Sequence, residues 1–291
     1  MQHPAELSVH SYLRKSIDGK AGMSQEVIDK VADDIKQALH KQFNSEKRKF
    51  KVRMSNVGRP KCQLWFDKNN PEKAEPLPAS FKINMIIGDI VEAVFKGLLR
   101  ASGTEFEDND NVTLKLSNKA EISGEYDMVL DGKVDDVKSA SPWSFTNKFE
   151  DFHSLNKGDS FGYVSQLVGY ATAAGKDVGG WWVVNKGNGD FKYVSASEAD
   201  KKEVLKKIED TYDYLDKNEP FERCFDSEPE VYRGKTSGNH KLAKVCSFCS
   251  HKKKCWPTLR ALPSQVYSGK LTPPTVEYVK LWSDQHDNGN Y

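Results

Sequence analysis

Between Ile122 and Ser141 the chain reads ISGEYDMVLDGKVDDVKSAS, two β-type runs joined by Asp131-Gly132. Asp-Gly between such runs signals a tight hairpin, because both central residues of the turn need positive φ. Asp127 lies inside the first run, Asp136 inside the second, and Lys138 two residues beyond it. Aspartate and lysine are depleted from strands, so runs that keep them point to a chemical use. Lys138 shares a face with Asp136, since side chains alternate along a strand, and Asp127 on the neighbouring strand can point the same way. Two carboxylates can share a hard cation. An ammonium beside them can orient a water or offset charge that builds on a phosphorus centre. The competing reading is a surface hairpin with ordinary charges, which Asp135 next door keeps open.

Two flanking segments bear on that choice. Ala79–Arg100 predicts a long helix with Phe81, Met85, Ile86, Val91, Val94, Phe95, Leu98 and Leu99 as its apolar stripe, and it carries Glu92 among apolar neighbours. Phe161–Gly175 predicts a second helix, rich in small residues, on which Gln166 and Tyr170 are four apart and share one face. A helical Tyr is usually core. The order Glu92, Asp127, Asp136-x-Lys138, Gln166-x-x-x-Tyr170 says more than any one of them.

The rest of the chain follows from periodicity and turn residues. The first 45 residues predict two amphipathic helices separated near Gly19–Gly22, followed by the basic run Lys47–Arg53. Pro60 can start a helix bearing Cys62, Trp65 and Phe66. Residues 67–78 and the acidic stretch Glu105–Asn111 read as loops, and Val112–Leu116, Glu121–Leu130 and Lys133–Lys138 as strands. Residues 141–160 look irregular, Gly179–Lys186 and Phe191–Ser195 form a hairpin, and Ser195 with Glu198 suggests a capping box for a helix to about Asn218. Glu219–Lys244 reads as irregular, with a short helix near Val276–Trp282 and a polar tail. Strands alternating with helices in this way predict an α/β fold, a mixed central sheet flanked by helices.

Composition sets the partners. The 43 Lys+Arg against 42 Asp+Glu leave +1, so no global basic field marks a nucleic-acid partner and any polyanion site is a local patch. No apolar run approaches the ~20 residues of a membrane span, and the N-terminus lacks a signal-peptide layout, so the expected location is cytoplasmic. Five cysteines stand at 62, 224, 246, 249 and 255. An odd, clustered set without an export signal favours metal ligation over disulfides. Cys246-x2-Cys249-x5-Cys255 supplies three thiolates, and Cys62 or Cys224 can supply a fourth, with His251 as a substitute. Four thiolates suit an iron–sulfur cluster or Zn²⁺. Lys252–Lys254 with His240, Lys241 and Lys244 form the best local patch for a DNA backbone. Trp143, Phe145 and Trp256 are candidates for stacking on unpaired bases. No Walker-type phosphate loop and no His-Glu-x-x-His occurs, so a motor would be a separate chain.

Gly88-x-x-x-Glu92, Gly124-Glu125-Tyr126-Asp127, Asp136-Val137-Lys138 and Gln166-x-x-x-Tyr170 together resemble the successive motifs of the PD-(D/E)XK nucleases. The branch they look most like is the RecB-like exonucleases, including CRISPR-associated and AddB-type members, over roughly residues 55–256. Many members of that branch carry His where this chain has Glu92, whereas phage exonucleases of the lambda type carry Glu. The resemblance implies a restriction-endonuclease-like core in which Glu92, Asp127, Asp136 and the Val137 carbonyl hold Mg²⁺ or Mn²⁺. It implies that Lys138 positions the water, and that Gln166 and Tyr170 orient the strand. It further implies a structural 4Fe-4S cluster on Cys62, Cys246, Cys249 and Cys255, with Gly58-Arg59-Pro60-Lys61-Cys62 as the upstream motif.

The expectation is therefore a metal-dependent DNA exonuclease acting on single- or double-stranded ends in recombination, repair or phage DNA processing. A helicase, annealing protein or single-strand-binding protein would be its partner. The alternatives are a non-catalytic DNA-binding adaptor with a Cys-rich zinc site, or an endonuclease of the same fold. The expected organisation is an N-terminal helical region over 1–54, a nuclease core with its cysteine module over 55–256, and a C-terminal tail over 257–291.

Overall fold

In the computed structural model, which describes residues 2–44 and 49–286, the chain opens with α1 (Pro4–Ile17), α2 (Gln25–Asn44), α3 (Lys61–Asn69) and α4 (Ala79–Ala101). Next come β1 (Glu107–Lys115), β2 (Glu121–Leu130), β3 (Lys133–Ala140), α5 (Phe152–Lys157), α6 (Tyr163–Ala174), β4 (Asp177–Asn185), β5 (Phe191–Ser195) and α7 (Lys201–Asp216). The last third holds β6 (Glu228–Tyr232), β7 (Lys235–Lys241), α8 (Lys252–Cys255), β8 (Arg260–Pro263), β9 (Thr275–Lys280) and α9 (Ser283–His286). These elements divide into two units, Met1–Arg59 with Pro78–Tyr214, and Pro60–Leu77 with Leu215–Tyr291. That division differs from the expected 1–54, 55–256 and 257–291. The basic run Lys47–Arg53 lies in part, and the polar tail beyond residue 286 wholly, outside the described residues.

The first unit is built on a mixed five-stranded sheet in the order β1-β2-β3-β4-β5. Only β3 and β4 are parallel. A parallel step needs a crossover of a dozen or more residues, and the segment carrying α5 and α6 supplies it. Helices cover both faces. Leu167, Val168 and Ala171 of α6 pack with Ile122, Val134, Trp181 and Val183. Val9 of α1 and Phe95 and Leu99 of α4 pack with Met128, Leu130, Val137 and Trp182. Consecutive Trp181 and Trp182 are both fully buried, one in each core, as side-chain alternation demands of a strand covered on both faces. The hairpin turn has Asp131 at φ 51° and Gly132 at φ 75°.

The start of α6 is set by backbone contact. A Cβ on Gly58 would lie 2.6 Å from Gly162 Cα, and Gly162 itself has φ +77°. Only glycine at both positions allows two main chains to approach this closely.

Five local expectations are corrected. The acidic stretch 105–111 largely belongs to β1, an edge strand that pairs only with β2 and is exposed along most of its length. Without a buried face it shows no alternation. Residues 141–160 contain a π-turn, Ser144–Lys148, and then α5. The α7 helix is capped by Asp200, whose carboxylate accepts from the Lys202 and Glu203 N–H groups, and not by Ser195. In the second unit, Glu219–Lys244 contains β6 and β7, and Val276–Trp282 is mostly β9. These strands join β8 in an antiparallel sheet of order β6-β7-β9-β8. There the buried Glu230 carboxylate accepts from Ser237, Ser264 and Tyr278 hydroxyls, each at 2.6 Å, and so ties strands distant in sequence. Among the described residues no helix is long and apolar enough to cross a membrane.

Gly58→Ala should lower the unfolding free energy by about 1–3 kcal/mol, the usual cost of forcing atoms into filled space. Gly22→Ala, whose methyl would meet nothing within 4 Å, is the control. Denaturant midpoints that coincide for Gly58→Ala and Gly22→Ala would contradict this account of α6.

Candidate active site

The site begins where two strands part. The β2–β3 ladder runs through Leu130↔Lys133, Val129↔Val134 and Met128↔Asp135 and stops. Beyond a register shift between Val134 and Asp136, β3 continues on β4, with Asp136↔Trp181, Val137↔Trp182 and Lys138↔Val183. The Val137 N–H, which has left the β2 ladder, donates to Asp127 Oδ2 at 2.8 Å. The irregularity also buries two consecutive carboxylates, Asp135 at 1% and Asp136 at 2% exposure. Their roles separate sharply. Asp135 accepts from the Gly180 N–H (2.8 Å), Trp182 Nε1 (3.1 Å) and the Tyr193 hydroxyl (2.9 Å), a fully used structural acceptor. Asp136 is instead held by a charge, its buried Oδ2 ion-paired with the Lys138 ammonium.

Glu92, Asp127 and Asp136 form one electrostatic group. Burial, then the charge of Asp127, pushes the Glu92 carboxyl up to about 8; Asp136 adds to the rise, while Lys96 and Lys138 oppose it. Asp136 is pushed up to about 7, first by burial, with Asp127 reinforcing and Lys138 opposing. Burial works against the Lys138 ammonium, but Asp136 and Asp127 outweigh it and hold its pKa above the usual lysine range. Three neighbouring carboxylates thus face two lysines, with Lys96 the stronger influence on Glu92 and Lys138 paired with Asp136.

α6 supplies the opposite wall. Gln166 Nε2 donates to the Tyr170 hydroxyl at 3.3 Å, and burial pushes the Tyr170 phenol up to about 12. Tyr170 fits because position 124 has no side chain. A Cβ on Gly124 would stand 2.6 Å from Tyr170 Cε1 and 2.6 Å from Met54 Cβ. Lys138 Nζ lies 5.2 Å from the ring centroid of Tyr163, also on α6.

Sequence reasoning missed Lys96 and Tyr163. Lys96 is buried one helical turn after Glu92, donates to the Asp127 carbonyl at 3.0 Å and pairs with Asp108 at 3.1 Å. Its signal was a lysine four residues from Glu92 within an apolar stripe. Tyr163 gave none, because its role depends on the approach of Lys138.

The donors suit a hard divalent cation in kind: closely coupled carboxylates, Asp136 fully buried among them, whose mutual repulsion a cation would relieve. As they stand, no group of three or more His, Cys, Asp or Glu side chains among the described residues is arranged to hold a metal ion.

In the second unit all five cysteines are free thiols and lie in one compact body. The Cys62 N–H donates to Cys224 Sγ at 3.1 Å, so the two candidates for a fourth ligand stand side by side. The thiol–thiol hydrogen bond raises Cys62 and lowers Cys224 to about 7. Burial raises Cys246 to about 12 and also raises Cys249 and Cys255. Soft donors of this kind suit iron–sulfur or zinc. His251 is fully buried, and its Nε2 is taken by Asp67 Oδ1 at 2.8 Å. The expected basic patch is partly neutralised: Lys252 pairs with Glu277 (2.7 Å), Lys253 with Glu75 (2.8 Å) and Lys241 with Glu228 (3.7 Å). Trp143 is exposed, Phe145 lies under Lys192 and Trp256 under Arg223.

Glu92, Asp135 and Asp136 keep protons in the fold that the unfolded chain releases near the ordinary carboxylate range. The native state then binds more protons, and stability is lost as pH rises through the folded values. In EDTA the unfolding midpoint should fall between about pH 5 and pH 8, and Mn²⁺ should raise it more at the upper end. A midpoint that rises with pH in EDTA would contradict the assignment of protons.

No family model and no curated protein matches the sequence. Four chains of solved structures do. One, described as "Crystal structure of SSO0001", shares 15% identity at a TM-score of 0.38, covering 62% of this chain and 84% of its own.

Proposed function

We propose that this protein is a metal-dependent deoxyribonuclease, an exonuclease working on DNA ends. Its first unit would be a restriction-endonuclease-like PD-(D/E)XK core of the RecB-like branch. The observation that carries this reading is the convergence of Glu92, Asp127 and Asp136 around Lys138 at the parting of β2 and β3. Glu92, Asp127, Asp136 and the Val137 carbonyl would hold Mg²⁺ or Mn²⁺. Such a cation, when bound, supplies charge for the scissile phosphate and lowers the pKa of water. The chain's own part is positional and electrostatic. Lys138, fixed by Asp136, keeps its proton and orients the attacking water toward phosphorus. Tyr170, kept protonated by burial, remains a donor toward a phosphate oxygen, and Gln166 fixes its hydroxyl. Lys96 holds the Asp127 main chain in register.

In the second unit, Cys246, Cys249 and Cys255 with Cys62 or Cys224 would carry a structural 4Fe-4S cluster, with Zn²⁺ as the alternative occupant. Neither centre requires the other for its local argument, so the two are tested separately.

End-labelled single- and double-stranded DNA should be degraded in Mn²⁺ and left intact in EDTA. Lys138→Ala should lose cleavage by at least about 10²-fold, as loss of a charge-stabilising group does, while still binding DNA. Cleavage at the wild-type rate by Lys138→Ala would overturn the site assignment. Binding without metal-dependent loss of DNA would favour the adaptor, and cutting of circular DNA would mark an endonuclease. Anaerobically purified protein should be brown, with about four irons per chain. Colourless protein with one zinc would remove the cluster and leave the nuclease standing.

A further inference from the structure

A ladder of rings and cations leads away from Lys138 in the first unit. Lys138 Nζ lies over the Tyr163 ring at 5.2 Å, and Tyr163 stacks on Phe161 with centroids 5.6 Å apart and planes at 14°. Lys148 Nζ sits over both, 4.6 Å from Phe161 and 4.5 Å from Tyr163. Local chain geometry places these groups. Lys148 ends the π-turn that the Phe149 N–H closes on the Ser144 carbonyl at 2.9 Å. Phe161 immediately precedes Gly162, whose left-handed backbone starts α6. Single π-turns concentrate at functional sites.

The outer end of the ladder is incomplete. Phe161 is 44% exposed, even with Tyr163 stacked on it and Lys148 over its ring. The Lys148 ammonium makes no ion pair among the described residues, and burial lowers its pKa against the pull of Asp159. Arg59 Nε is buried without a hydrogen-bond partner, and the Arg59 charge reaches the Tyr163 phenol. A half-exposed ring beside under-paired cations suits a flat apolar group joined to an anion. A nucleotide is such a group, and it offers its base face only when unpaired.

We propose that Phe161 and Lys148 form a subsite for an unpaired nucleotide next to the scissile phosphate. Phe161 stacks on the base, Lys148 takes the flanking phosphate, and Arg59 adds positive charge behind them. The placement beside a scissile phosphate rests on the nuclease reading; the binding itself needs no cleavage. The subsite makes the enzyme select single-stranded or frayed ends.

The test is fluorescence anisotropy on the full-length chain in EDTA, with labelled oligothymidylate and a blunt hairpin duplex as probes. Phe161→Ala should weaken oligothymidylate binding about tenfold and hairpin binding under about twofold, and Phe161→Tyr, which keeps a ring, should restore the affinity. Lys148→Gln should lower the salt slope of log K on oligothymidylate by about 0.7. Equal loss on both probes, no loss, failure of Phe161→Tyr to restore binding, or no oligothymidylate binding by wild type would overturn the subsite. Metal-dependent digestion run in parallel separates the two proposals. Ring-dependent binding without digestion keeps the subsite and removes the nuclease. Digestion with kcat/KM unchanged in Phe161→Ala keeps the nuclease and removes the subsite.

Discussion

The hydrogen bond from the Val137 N–H to the Asp127 carboxylate is the interaction on which the site depends. It ends one ladder and permits another. Because a side-chain oxygen receives this N–H, β3 can leave β2 after Asp135 without burying an unsatisfied main-chain donor, whose cost would be about 1–3 kcal/mol. β3 is then free to pair in parallel with β4. Where the strands part, Asp136 and Lys138 interact with Glu92 from α4 and Tyr170 from α6. One carboxylate is therefore a structural acceptor and a candidate ligand together, and it cannot be altered for one role without disturbing the other.

The charge balance around that point is unusual for a protein interior. Buried carboxylates are normally paired or hydrogen-bonded. Asp135 obeys the rule, with three donors on its two oxygens. Its sequence neighbour Asp136 meets the rule in a different way, through a charge: it pairs with Lys138, and Lys138 is also drawn by Asp127. The two adjacent aspartates thus differ in kind, Asp135 held by three neutral donors and Asp136 by one ammonium. Perturbed groups of this kind cluster at functional sites, although structural networks produce them too, and here Asp135 is the structural example.

Much of this is legible in the sequence. The Asp-Gly turn and the apolar stripe of α4 report themselves through local rules, so the hairpin, Glu92 and the two aspartates fall where periodicity put them. The Gln166–Tyr170 spacing likewise survives as a real contact. β1 was hidden because an exposed edge strand has no buried face to mark its period. β6 to β9 were hidden because they are short and their stabilising contacts, such as Ser237 and Tyr278 to Glu230, join residues far apart in sequence. Lys96, Lys148 and Tyr163 were missed for a related reason. A lysine near an apolar stripe and a tyrosine at a helix start acquire meaning only from what the fold brings to them. The sequence leaves Cys62 and Cys224 as rival fourth ligands, and the fold sets them in contact.

The central proposal is that Glu92, Asp127 and Asp136, whose mutual repulsion Lys96 and Lys138 offset only in part, take a divalent cation. Manganese titration followed by electron paramagnetic resonance tests it without assuming any substrate. Wild-type protein should sequester Mn²⁺ at the carboxylate group, and Asp136→Asn should lose that binding while remaining folded. Absence of binding by the wild type, or equal binding by folded Asp136→Asn, would contradict the account.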